Sequence, residues 1–132
     1  EPTLRAAGYS QNATVALSAD INALLWYFSS LMSENRLHIR LEVLETNASN
    51  SSFQAHYFTF RLICTYLGSG TQWCFVEGQD AICEVPTGTV GVFKGRRLLN
   101  PPAVLQRSPP AARIGDRRLV LSIDSVDAQA RT

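Results

Sequence analysis

The apolar residues of this chain follow two different periods along the sequence, and each period predicts a different element. From Ser18 to Glu34 they recur every three or four residues, which is the spacing of an amphipathic helix. Ser18 is suited to cap the N-terminus of this helix, and Asp20 would lie in its first turn, near the positive end of the helix dipole. We therefore expect one long helix. Its apolar stripe comprises Ile21, Leu24, Leu25, Phe28, Leu31 and Met32.

After the helix the period becomes two, which is typical of strands with one buried face. Leu37–Val43 and Phe58–Tyr66 alternate in this way on either side of a polar stretch, so we expect them to form a hairpin. Turns at 68–70 and 77–80 predict a third strand, Gln72–Val76, and a fourth after it. Further predicted elements are strands at Thr89–Lys94 and Leu119–Val126, and a brief helix within Asn100–Arg107 that starts at two prolines.

One helix followed by antiparallel strands predicts an α+β fold, a two-layer domain in which the helix packs on one face of the sheet. The length of 132 residues fits a single domain, 1–132, with a basic, proline-rich segment at about 94–118. The order of elements over about Asn12–Val85 is similar to the cystatin-like fold. A second helix at Pro101–Arg107 would instead make the order resemble a ferredoxin-like module with an inserted hairpin.

The sequence departs from the inhibitory cystatins at the first predicted hairpin loop. Those inhibitors carry the motif Gln-x-Val-x-Gly there, whereas this chain has Glu45–Asn50 without the motif. We therefore do not expect protease inhibition by that loop.

Three of the six asparagines lie in the acceptor pattern for N-glycosylation: Asn12, Asn47 and Asn50. This predicts a chain that is secreted or displayed on the extracellular face of a membrane. An uninterrupted apolar run of about 18 residues is absent from the sequence, so we expect any signal peptide or membrane anchor to lie outside this chain.

Three cysteines, Cys64, Cys74 and Cys83, lie within 20 residues of one another. In an oxidising compartment most cysteines are paired, and the predicted strands place Cys74 opposite either of the other two. We favour Cys64 with Cys74, because the glycines between them favour a tight turn, and this leaves Cys83 unpaired or bonded to another chain. Cys74 with Cys83 is the alternative. The spacings match no zinc motif, so we expect neither a metal nor a cofactor.

Charge is divided unevenly along the chain. Residues 1–93 hold four arginines and eight acids, a net charge of −4, whereas 94–132 hold seven arginines, one lysine and three acids, a net charge of +5. The basic segment could bind a polyanion such as a sulfated glycan. Without interleaved aromatic residues or a recognisable nucleic-acid module, we expect no nucleic-acid binding. The candidate contacts are Lys94, Arg96, Arg97, Arg117 and Arg118.

The sequence contains no convergent acid, base and nucleophile, so we expect no enzymatic activity. We favour an extracellular protein-interaction or assembly module, the N-glycosylated ectodomain of a receptor, a secreted ligand or a viral or cell-surface glycoprotein. Its partner would be an extracellular protein, in a homo- or hetero-oligomer, bound at an exposed apolar patch or sheet edge. A small secreted inhibitor or carrier of cystatin-like architecture is the alternative, and polyanion binding through the basic segment is a further one.

Overall fold

The computed structural model describes residues 10–32, 36–45, 52–55, 58–97, 101–110 and 116–125. One helix and two antiparallel sheets in these ranges confirm the α+β class. The chain divides into two compact units, Glu1–Asn35, which contains the helix, and Arg36–Thr132, which contains both sheets. The elements are α1 Gln11–Met32, β1 Leu37–Glu45, β2 Phe60–Leu67, β3 Gln72–Phe75, β4 Gly78–Glu84, β5 Val90–Lys94, β6 Val104–Arg107 and β7 Arg117–Ser125.

Helix α1 starts earlier than its sequence pattern predicts. Its N-terminal cap is Ser10, whose Oγ accepts a hydrogen bond from the backbone N–H of Ala13 at 3.2 Å. The prediction of Ser18 as the cap is therefore wrong, and Asp20 lies inside the helix instead of in its first turn. The buried side of α1 extends back to Thr14, which is fully buried. Because Thr14 is polar, the spacing of the apolar residues does not reveal the first two turns of the helix.

The two sides of α1 differ in exposure. Phe28 is fully buried, as its place in the stripe predicts, whereas Leu31 from the same stripe is more than half exposed. Trp26, outside the stripe, is 73% exposed. Within the described residues, Asn12–Met32 is long and apolar enough to cross a membrane, and a core helix or an N-terminal signal sequence has the same length and composition. A search for uninterrupted apolar runs misses this segment because of its scattered polar residues.

The first sheet has four strands in the order β1-β7-β2-β5, with every neighbouring pair antiparallel. The predicted hairpin of the first two strands is wrong, because β7 lies between them: Leu121 pairs with Leu41 on one side and with Cys64 on the other. Strand β7 takes this central place because consecutive residues, among them Val120 and Leu121, are apolar and need cover on both faces.

The second sheet has the order β4-β3-β6. Strand β6 occupies the segment predicted as a brief helix, and that prediction is wrong. Prolines 101, 102, 109 and 110 leave too few residues between them for a stable helix, while Val104–Arg107 pairs along the whole of β3. The hairpin of β3 and β4 is confirmed, although its register places Trp73, and not Cys74, opposite Cys83.

The core of the second unit lies between the two sheets. Ile63, Phe93 and Val120 of the first sheet pack with Trp73 and Val104 of the second. We call this side of the first sheet its inner face. Alternate residues form the outer face, which is buried on the two central strands, as at Leu62 and Leu121, and exposed on both edge strands. Strand order in this sheet does not follow chain order, unlike a cystatin-like meander, and the second helix of a ferredoxin-like module is replaced by β6, so neither order is confirmed.

Candidate functional site

A groove of about 600 Å³ runs along β5, beside the core of the second unit. Its floor includes the buried side chains of Val85 and Phe93. Phe75, which is 56% exposed, and Val92, which is 41% exposed, belong to its open side. The groove is therefore an apolar surface that starts in the core and reaches solvent. Its other lining residues are Trp73, Glu84, Pro86, Thr89, Val90, Gly91, Lys94, Ala103 and Val104.

Two local contacts shape this groove. The rings of Trp73 and Phe75 meet edge to face, with centroids 5.3 Å apart and an interplanar angle of 85°. Gly91 allows β5 to approach Val85 closely, because a Cβ at that glycine would lie only 2.9 Å from Val85 Cγ2. A larger residue at Gly91 would displace Val85 or narrow the groove.

Strand β5 is also an edge of its sheet. It pairs with β2 on one side and, among the strands that the structure describes, with none on the other. An edge strand presents backbone N–H and C=O groups to which another extended segment can add. The groove therefore combines apolar side chains with a strand edge. No sequence motif marks it, although apolar residues on both faces of β5, at Val92 and Phe93, are a signal that sequence reasoning passed over.

The basic residues predicted as an anion contact do not form one patch. Lys94 pairs with Phe60 at the Ser125 end of β7, whereas Arg117 starts β7 at the other end. The nine residues of β7 span roughly 26 Å from end to end in an extended strand. Arg96 and Arg97 follow Lys94 in the turn after β5, and Arg118 is only 2% exposed. The prediction of Arg118 as a surface contact is therefore wrong.

Arg118 instead makes a buried hydrogen-bond network. Its Nε donates to the backbone oxygen of Ser69 at 2.7 Å, and one terminal nitrogen donates to Ser108 Oγ at 3.0 Å. The other terminal nitrogen donates to Thr71 Oγ1 at 2.8 Å and Thr65 Oγ1 at 3.3 Å. Burial lowers the pKa of Arg118 below its usual value, and the negative charge of Glu84 partly offsets this shift. All four acceptors are neutral, so the network satisfies the donors without neutralising the charge.

The three cysteines occupy different environments. Cys64 and Cys74 are buried, whereas Cys83 is exposed on β4. The predicted opposition of Cys64 and Cys74 is wrong, because β2 and β3 belong to different sheets. All three cysteines lie in described segments, and no disulfide joins any two of them there; pairing in the oxidised protein stays a prediction. Burial raises the pKa of the Cys74 thiol, a shift that Arg107 opposes and Cys83 increases.

The predicted glycosylation residues are only partly described. Asn12 is exposed in the first turn of α1, whereas Asn47 and Asn50 lie outside the described residues. Across the described part of the chain, no three His, Cys, Asp or Glu residues lie together in a group that could hold a metal ion.

Comparison with known proteins adds one assignment. No curated protein and no solved structure matches this chain at a significant level. Residues 2–124, which are 123 of the 132, match the model of a family described as "Protein of unknown function (DUF1826)". The match covers the helix and nearly all of both sheets. The chain therefore belongs to the DUF1826 family.

Proposed function

We propose that this protein is a non-enzymatic, extracellular interaction module that binds an extended apolar segment of a partner protein in the groove along β5. The observation that carries this proposal is the coincidence of an apolar groove of about 600 Å³ with an edge strand. Either feature alone is common in proteins, whereas together they supply both parts of one recognition mode. In that mode backbone hydrogen bonds to a sheet edge provide affinity, and side-chain pockets provide specificity.

The exposed apolar side chains support this mode. Phe75 and Val92 lose contact with water only when something covers the groove, so a partner segment with apolar side chains gains free energy by covering them. An aromatic pair such as Trp73 and Phe75 is the kind of anchor that contributes most to binding at protein interfaces.

The extracellular location in this proposal is supported by the three N-glycosylation patterns. The alternatives of a cystatin-like inhibitor or carrier and of a sulfated-glycan binder stay proposals of lower rank. The groove lies along β5, at the opposite edge of the first sheet from β1, and the basic residues are divided between opposite ends of that sheet. The helix-on-sheet layer in cystatin-like or ferredoxin-like order also stays a proposal.

A display library of extended peptides tests the binding mode. Peptides selected on the full chain would be measured for affinity against groove variants Val92→Lys and Phe75→Ser. We expect each variant to weaken binding by about tenfold or more, because it places a polar group in, or removes an anchor from, the apolar contact. Val43→Lys and Ile82→Ser are matched controls. Both residues are exposed, Val43 on the outer face of the opposite edge strand and Ile82 on β4, and neither lines the groove.

The controls should change the affinity by less than about twofold, because they leave the groove intact. Selected peptides whose affinity is insensitive to Val92→Lys and Phe75→Ser would contradict the proposal, as would equal losses in the controls. Circular dichroism and thermal unfolding of each variant separate loss of binding from loss of fold.

A further inference from the structure

We infer that a second cavity, between the inner face of the first sheet and the second sheet, binds a small oxyanion of the phosphate or sulfate type. This cavity has a volume of about 140 Å³ and, among the residues that the structure describes, shares no lining residue with the groove along β5. Four arginines line it, from β1, β2, β6 and β7. They are Arg40, Arg61, Arg107 and Arg118. The inference does not depend on the proposed peptide binding.

The strand register brings these arginines together from distant parts of the chain. On the inner face, Arg40 pairs with Ser122, which in turn pairs with Ile63. Arg118 lies on the same face of β7, four residues from Ser122 and thus two side-chain positions away. The opposite wall comes from the second sheet, where Arg107 follows Gln106 at the end of β6. The four arginines come together only in the folded chain, because they are far apart in the sequence.

Carboxylates balance only part of this positive charge. Arg61 makes a bidentate pair with Asp124, at 2.6 and 2.8 Å. Arg40 Nε lies 3.8 Å from Glu42 Oε1, which is too long for a hydrogen bond. Within the described residues these are the acidic groups in contact with the four arginines. Glu84 also attracts Arg118 from beyond contact distance, so four positive charges face three negative charges and one is left over.

The remaining positive charge is shared by Arg107 and Arg118. Neither has a carboxylate within 4.0 Å in the described segments. Arg107 donates from Nε to Gln72 at 2.8 Å, and its guanidinium lies over the ring of Phe53. Arg118 has only neutral acceptors, and its lowered pKa reflects the cost of burying a cation in this way. A bound anion would repay that cost by direct attraction in a poorly solvated place.

Donors are also available at the cavity wall. The Nε–H of Arg40 is buried and has no hydrogen-bond partner, an arrangement that native structures rarely leave unexplained. Ser108 and Thr71 accept hydrogen bonds from Arg118, so each hydroxyl can still donate its own proton to a ligand. The wall therefore offers guanidinium and hydroxyl donors, the set that recognises the oxygens of phosphate or sulfate.

The volume limits the ligand to a small one. A water molecule occupies about 30 Å³ of liquid, so 140 Å³ corresponds to about five waters, or to one tetrahedral oxyanion with a few waters. A nucleotide or a sulfated sugar chain does not fit inside. The ligand class is therefore a free inorganic oxyanion, or one terminal oxyanion group that enters the cavity from a larger molecule.

Titration calorimetry of the full chain with inorganic phosphate, and separately with sulfate, tests the inference at constant ionic strength maintained with sodium chloride. We expect saturable binding with one site per chain. Arg40→Gln and Arg107→Gln should each raise the dissociation constant at least about tenfold, because each removes a cation from the cavity wall. Arg96→Gln is the matched control, since it removes the same charge from an exposed turn outside the cavity.

The control should change the dissociation constant by less than about twofold, because charges outside the cavity act only through screened solvent. An equal loss in Arg96→Gln would show nonspecific attraction and overturn the site, as would an absence of saturable heat with both anions. Arg40 and Arg107 keep part of their side chains in solvent, and thermal unfolding without ligand shows whether each variant is folded. A phosphorylated or sulfated small molecule, added as a competitor, distinguishes a free anion from a terminal group.

Discussion

Arg118 shows how a residue can reverse its apparent role on folding. In the sequence it stands beside Arg117 in a basic, proline-rich segment, and that neighbourhood predicts a solvated surface. In the structure the alternation of β7 turns Arg118 to the inner face, where it is 2% exposed, while Arg117 is exposed. A sequence pattern can place both residues on a strand, but which of the two turns inward depends on the sheets that cover them. For the same reason, the sequence did not predict that the four arginines of the small cavity lie together.

The cysteines give a prediction at this scale. Under reducing conditions, iodoacetamide at pH 8 should modify Cys83 at least about tenfold faster than Cys74, because the Cys74 thiol is buried and its pKa is raised. Peptide mass mapping over time measures both rates. Cys83→Ser should remove the fast phase and leave only slow modification of the buried thiols. Modification of Cys74 at the rate of Cys83 would contradict the described burial.

At the scale of elements, periodicity located most of the strands and misjudged their neighbours. Leu37–Val43, Gln72–Val76 and Thr89–Lys94 are strands close to their predicted bounds. The prediction of a hairpin between the first two strands failed because strand pairing is a contact between residues far apart in the sequence. The loop between β1 and β2 does not reveal that β7 lies between them in the sheet. The prediction of a helix at the position of β6 failed because prolines are found both at the start of a helix and at the boundary of a strand.

The N-terminus of α1 provides a test at the same scale. Ser10→Ala should lower the free energy of unfolding by about 1 kcal/mol, because it removes the acceptor for the N–H of Ala13. Ser18→Ala is the matched control, since Ser18 Oγ is a buried atom without a hydrogen-bond partner. Chemical denaturation followed by helical circular dichroism measures both. We expect the control to leave stability unchanged or slightly raised, and a larger loss at Ser18 would contradict this assignment of the cap.

At the scale of the whole molecule, composition and period were sufficient for the α+β class, and no more than that. The groove along β5 was beyond sequence reasoning, because it is formed by residues from four strands in two sheets that share no motif. The expectation of an exposed apolar patch was general, and only the packing of Val85, Phe93 and Phe75 gives that patch a place.

The predicted extracellular location is tested on the intact protein. Expressed behind a secretion signal in animal cells, the chain should lose mass on enzymatic deglycosylation, because Asn12, Asn47 and Asn50 stand in acceptor patterns. Intact mass spectrometry before and after treatment measures the change. Replacing all three asparagines with glutamine should abolish it. Secreted protein with no glycan at any of the three positions would contradict the proposed location.

The central place of β7 also determines when this protein can fold during its synthesis. A ribosome produces β1, β2 and β5 before β7, so the growing chain holds both sides of the first sheet before the strand that joins β1 to β2 exists. Until residues 117–125 leave the exit tunnel, β1 lacks the strand that it pairs with among those the structure describes, and one edge of β2 is unpaired. Completion of this sheet must therefore wait until β7 has been synthesised, and the open edges of β1 and β2 can pair wrongly during that interval.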